Sequence, residues 1–118
     1  MIVLPFLLLG LQSPDSAPVL EAVKVCDRVQ IRTMISGEPN RRIEFAAAAY
    51  AEQRAIAAQR AAVLIGPPEQ AATGLAEVEA RLRALDDARQ IERAWRDFFD
   101  EARAGYLANC TSGKKEAP

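Results

Sequence analysis

With 118 residues the chain is long enough for one small domain; 50% of it is hydrophobic, but alanine supplies much of that fraction, so any core is thin. Its 15 basic and 16 acidic residues leave a net charge of −1, which excludes attraction to nucleic acid or anionic lipid through bulk charge. Histidine is absent, and with it the Ser-His-Asp and Cys-His sets, the Glu-x-x-His signature of di-iron bundles and the side chain best suited to proton transfer near neutral pH.

The first stretch, MIVLPFLLLGLQSPDSAP, carries an apolar run from Ile2 to Leu11. That is the size of a signal-peptide core and too short to span a bilayer. Residues 1–17 therefore read as a signal peptide or an apolar N-terminal segment, which predicts a periplasmic or secreted protein with no membrane span in its mature form. Two cysteines in an exported chain read as a disulfide, Cys26–Cys110. Without histidine, two thiolates do not complete a zinc site, and no glycine-rich phosphate loop is present, so neither metal nor cofactor is expected.

Residues 18–110 read as helix nearly throughout. The first segment follows Ser16, an N-cap candidate, with Pro18 in the first turn. SGEPN interrupts it: Gly37 suits a helix end and Pro39 a new start, so a kink is expected there. The second segment, from Asn40 to Ile65, carries two apolar stripes, one of Ile43, Tyr50, Ala57 and Leu64 and one of Phe45, Ala49, Ile56 and Val63. GPPEQ ends it. The third segment, from about Pro68 to Asn109, has Leu75, Val78, Leu82, Leu85, Ala88, Ile91, Trp95, Phe98, Ala102 and Tyr106 stepping by threes and fours. Glu77 with Arg81, Glu79 with Arg83 and Glu92 with Arg96 are spaced for i,i+4 pairing on its other face. The tail, residues 111–118, reads as disordered and polar.

In an antiparallel hairpin, facing residue numbers sum to twice the centre of the turn, about 136 for a turn centred on Pro68. Cys26 and Cys110 meet that condition if the first segment continues along the axis of the second. If instead the whole first segment folded back, Cys26 would lie about 39 Å along the axis from Cys110, far beyond the roughly 7 Å Cα limit of a disulfide. The fold class predicted is all-α: a long antiparallel helical hairpin, its first arm kinked at Gly37–Pro39, closed at the open end by the two cysteines. Only one stripe of the second segment can face the third; with Tyr50 set opposite Asp86 and Ala57 opposite Glu79, the surplus stripe of Phe45, Ile56 and Val63 calls for a protein partner or for a second copy in a homodimeric helical bundle.

Trp95, Phe98, Phe99 and Tyr106 form the most distinctive local group. They read either as a local core packed on Val23, Val29, Ile31 and Met34 or as a partner-binding patch, since Phe98 and Phe99 cannot share one face. Arg41 and Arg42 read as a solvated helix start. The stretch LDDARQIERAWRDFFDEARAGYLANC resembles the C-terminal helix of small secreted lysozyme-inhibitor-like proteins, with Gln90, Trp95, Arg96, Asp97 and Cys110 present and the final cysteine set further past the tryptophan. The resemblance covers under a quarter of the chain. The function expected is a small exported non-catalytic helical protein acting through protein–protein interaction in the cell envelope. A holding chaperone of the helical-tentacle type, or a lysozyme-inhibitor-like secreted protein, is the alternative.

Overall fold

The computed structural model describes residues 10–111. The apolar run over 2–9 and the tail over 112–118 lie outside the described residues, as therefore does most of the expected signal peptide. The chain is an all-α helical hairpin with no strand among the described residues. Helix α1 is Ala17–Lys24, α2 is Arg28–Ile65, a 3-10 turn spans Pro68–Gln70, and α3 is Ala71–Cys110. Two compact units result. A turn unit is built on Glu44–Gln90, and Leu11 belongs to it; a clasp unit holds Ser13–Ile43 and residues 91–111.

The expected break at SGEPN is absent: α2 runs through Gly37 and Pro39. Proline removes a backbone donor and crowds the preceding turn, but here side chains staple the helix across it. Glu38, just before Pro39, pairs with Arg41 and Arg42 just after it. Gly37 has open space around the position of a Cβ and no need of a special backbone.

The break lies instead at Val25–Asp27, and its geometry is a Schellman end. The Cys26 N–H donates to the Val23 carbonyl and the Asp27 N–H to the Ala22 carbonyl. This pattern places a left-handed residue at the position where glycine is usual, and here that residue is Cys26, with φ 55°. Asp27 then opens α2 at once, its carboxylate accepting from the Gln30 N–H at 3.1 Å. At the other end of α1, Ser16 makes no side-chain cap; Asp15 accepts from the Ala17 N–H.

In the turn unit, Phe45, Ala49 and Ile56 of α2 meet Val78 and Leu85 of α3, and Leu11 adds a third side. Val78 and Leu85 are fully enclosed, at 0% and 2% exposure. Burial of each such side chain contributes about 1.5–3 kcal/mol. Near the turn the helices touch at Gly74, where a Cβ would come within 2.7 Å of Val63 Cγ2. In the clasp unit, α1 lies on the helix pair. Ala22 packs with Ile31, Tyr106 and Cys110, and Val19 with Trp95 and Phe99.

The buried positions of α3 include Val78, Leu85, Glu92, Phe99 and Tyr106, and those of α2 include Ile31, Glu38, Phe45 and Glu52. Each series recurs every seven residues, the repeat of a packed helix pair, but with a carboxylate at some of its core positions. Ile91, expected on the seam, is 53% exposed, and its neighbour Glu92 is buried in its place.

Candidate functional site

Three features compete for functional attention: the clasp, a buried ion network and an exposed apolar stripe. At the clasp, Cys26 and Cys110 form the expected disulfide, with Cα atoms 5.5 Å apart. The two geometries weighed from sequence as alternatives are both realised in part. Beyond Cys26 the chain runs along α3 as a hairpin arm; before Cys26 it turns back, so that Val19 reaches Trp95 and Phe99. The turn at Cys26 reconciles them, because only the eight residues of α1 fold back.

Of the expected partner-binding group, Trp95, Phe99 and Tyr106 are buried and Phe98 is half-buried. Trp95 stacks at a tilt on both phenylalanines, with ring centroids 5.6 and 5.7 Å apart. Val23 and Met34 pack on this group or beside it and Ile31 packs near Tyr106, whereas Val29 is exposed. In this conformation the aromatic group is core, and α1 is one of the elements covering it.

The ion network surrounds the indole. Arg41 bridges two buried carboxylates, donating from Nε and Nη2 to Glu38 at 2.9 Å each and from Nη1 and Nη2 to Glu92 at 3.0 and 2.8 Å. Glu38 also accepts from Arg42 Nε at 2.7 Å and from Trp95 Nε1 at 2.9 Å. Arg96 Nε donates to Glu92 at 2.7 Å, and Arg42 Nη2 to Asp100 at 3.0 Å. The Arg41 and Arg42 guanidinium groups lie over the rings of Trp95 and Phe99. Burial pushes the Glu38 carboxyl up, but hydrogen bonds from Arg41, Arg42 and Trp95 outweigh it and hold the group below its ordinary 4.5. Glu92 follows the same balance, with burial opposed by Arg41 and Arg96. The Glu38 hydrogen bond, with help from Glu92 and against burial, drives Arg41 above its already high ordinary value. Both carboxylates are therefore held in the anionic form, Glu38 by four hydrogen bonds and Glu92 by three, an arrangement that fixes their geometry.

The turn unit has a smaller counterpart. Arg81 donates to the buried Glu52 at 2.7 and 3.0 Å and to Gln59 at 2.7 Å. Arg81 thus reaches across to α2 rather than pairing with Glu77 on its own helix. Glu92–Arg96 forms as spaced, and Glu79–Arg83 closes only to 3.9 Å. Arg41 and Arg42, read from sequence as a solvated helix start, are mid-helix ligands of buried carboxylates.

No protein-family model, no curated protein and no solved structure matches this chain. What the chain offers to other molecules is consequently read from its own surface. On α2 of the turn unit, Tyr50, Leu64 and Ile65 are exposed by 59%, 63% and 87%. Ala47, Ala57 and Ala61 are exposed among them. Positions 47, 50, 57, 61 and 64 share one face by helical spacing, set to one side of the Phe45, Ala49 and Ile56 core. Arg54 lies over the Tyr50 ring. Among the described residues no helix is long and apolar enough to cross a membrane, and no group of side chains is arranged to hold a metal ion.

The ion network is what sequence reasoning missed. Glu38, Glu52 and Glu92 each occupy a seam position in a seven-residue series, and a reading that counted only apolar residues passed over them. The helix break at Cys26 was missed for want of glycine, although Asp27 with Gln30 three residues on is a capping-box spacing that marks a helix start.

Proposed function

We propose that this is a small exported, non-catalytic helical protein that acts by binding another protein through the exposed face of α2 in the turn unit. The observation that carries this reading is the row Tyr50, Ala57, Ala61 and Leu64, which keeps Tyr50 and Leu64 in water although a neighbouring face of the same helix is a packed core. Such a row finds a use when a second protein covers it. Small alanines between the large residues allow close approach of a partner helix, and Tyr50 supplies an aromatic anchor of the kind that dominates interface energetics. The disulfide supports an oxidising compartment, the periplasm or the exterior, because such bonds persist there and are reduced in the cytosol. The lack of histidine and the pairing of the buried Glu38 and Glu92 with guanidinium groups support a binding role over a catalytic one.

A photo-crosslinking amino acid placed at Tyr50 or Leu64 of the full chain tests the reading in a cell-envelope extract. The expected result is a discrete adduct from both positions and none from the exposed Asp87 on α3. An adduct of twice the chain mass identifies a second copy as the partner; a different mass identifies a separate protein. Equal yields from all three positions, or no adduct from Tyr50 and Leu64, would contradict it.

A further inference from the structure

We propose that α1 is a strap latched by the Cys26–Cys110 disulfide, and that reduction of this bond by a dithiol releases the strap and uncovers Trp95 and Phe99. This surface is separate from the α2 stripe of the turn unit, and it is covered while the disulfide is closed.

Four observations converge on it. With eight residues, α1 is too short to remain helical in water alone, so its structure depends on its docking. That docking is slight: Val19 and Ala22 are its buried side chains. The α1–α2 connection holds Cys26 in the left-handed region, a conformation unfavourable for a residue with a Cβ. Finally, this same strained residue carries the cross-link. The bond anchors the point where α1 turns back, next to the Cys110 sulfur that lies 3.7 Å from the Val23 carbonyl oxygen.

The redox step follows from exposure. Cys26 is half-buried and Cys110 is buried, so a dithiol thiolate attacks Cys26 Sγ. The Sγ–Sγ bond breaks and Cys110 leaves as a thiolate that takes a proton. The second thiolate of the reductant then attacks its own sulfur in the mixed disulfide, and Cys26 leaves in turn and is protonated. Two electrons and two protons reach the protein sulfurs, and the reductant ends as a disulfide. With the bond open, Cys26 can relax out of the left-handed region, the direction of α1 is no longer set, and the Val19 and Val23 cover is lost from Trp95 and Phe99. The surface exposed is aromatic and flanked by Arg41 and Arg42.

Trp95 is the single tryptophan of the chain, so its emission reports on this place alone. Emission and acrylamide quenching of the full chain are measured before and after complete reduction with dithiothreitol, together with hydrogen exchange of peptides from α1 and from the Phe45–Ile56 stretch. The expected result is a red shift, stronger quenching and loss of amide protection in α1, while Phe45–Ile56 stays protected. A Cys26→Ser/Cys110→Ser variant should show the same emission with no reductant present. Unchanged emission and unchanged α1 protection in the reduced protein would overturn the proposal. Simultaneous loss of protection in both stretches would overturn it too, because the bond would then hold the whole hairpin rather than the strap.

Discussion

The turn unit and the clasp unit solve the same problem, a helix pair too thin to enclose a core, by different means. The turn unit relies on close approach and aliphatic fit: Gly74 admits Val63, Val78 and Leu85 are sealed, and Leu11 covers part of the third side. The clasp unit relies on connection. A third helix, a disulfide, an aromatic cluster and an ion network in which Arg41 joins two buried carboxylates hold its two arms. Non-directional packing tolerates substitutions of similar volume, whereas a paired-charge network tolerates few, since an unpartnered buried carboxylate is costly. The network also selects one register, because sliding either helix separates Arg41 from Glu92.

The two kinds of core should break differently. Leu85→Ala in the turn unit should cost about 3 kcal/mol through the cavity it leaves, with little dependence on pH. Arg41→Met in the clasp unit should cost about 3 kcal/mol as well, by leaving Glu38 and Glu92 without their shared partner. Chemical denaturation at neutral pH measures both.

Acid then separates them. Because Glu38 and Glu92 titrate below their ordinary 4.5 in the folded chain, their contribution is complete above that value and is lost as pH falls through the lowered folded values. The thermal midpoint of the natural protein should fall as pH drops below 4.5. That of a Glu38→Gln/Glu92→Gln variant should start lower and fall less steeply; parallel profiles would remove the network from the account.

The glycines provide the finest contrast. Gly74→Ala should destabilise by about 1 kcal/mol, because stiff, β-branched Val63 cannot yield and its clash exceeds the gain in helix propensity. Gly37→Ala should stabilise by about 0.5–1 kcal/mol, since Gly37 is an exposed mid-helix residue with open space beside it. Destabilisation by Gly37→Ala would instead restore a helix end at SGEPN.

Much of the fold was legible because its signals are apolar or conformational. The GPPEQ turn, the helical spacing from Val78 to Tyr106 and the number sum shared by Cys26 and Cys110 place the hairpin and its register. Ile31 beside Tyr106 and Val63 against Gly74 keep to that sum within a residue. Two things were not legible. Pro39 reads as a break by local preference, and only the tertiary ion pairs around Glu38 carry the helix across it. Cys26 reads as a helical residue, since no glycine marks the left-handed turn there and the capping-box spacing of Asp27 and Gln30 is the sole local sign of the new start. The candidate surface was legible only as a surplus on the second segment: the stripe expected to be left over, Phe45, Ile56 and Val63, is the one that packs on α3, and the row through Tyr50 and Leu64 is the one exposed, while the aromatic group proved to be core because α1 doubles back over it.

The clasp is the claim on which the register, the fold-back of α1 and the strap all rest. The most direct test is peptide mapping of the unreduced protein by mass spectrometry, after alkylation of accessible thiols and proteolysis. The account predicts one cross-linked species joining the peptide of Cys26 to that of Cys110, with neither residue alkylated; both cysteines recovered as alkylated peptides from folded, unreduced protein would contradict it.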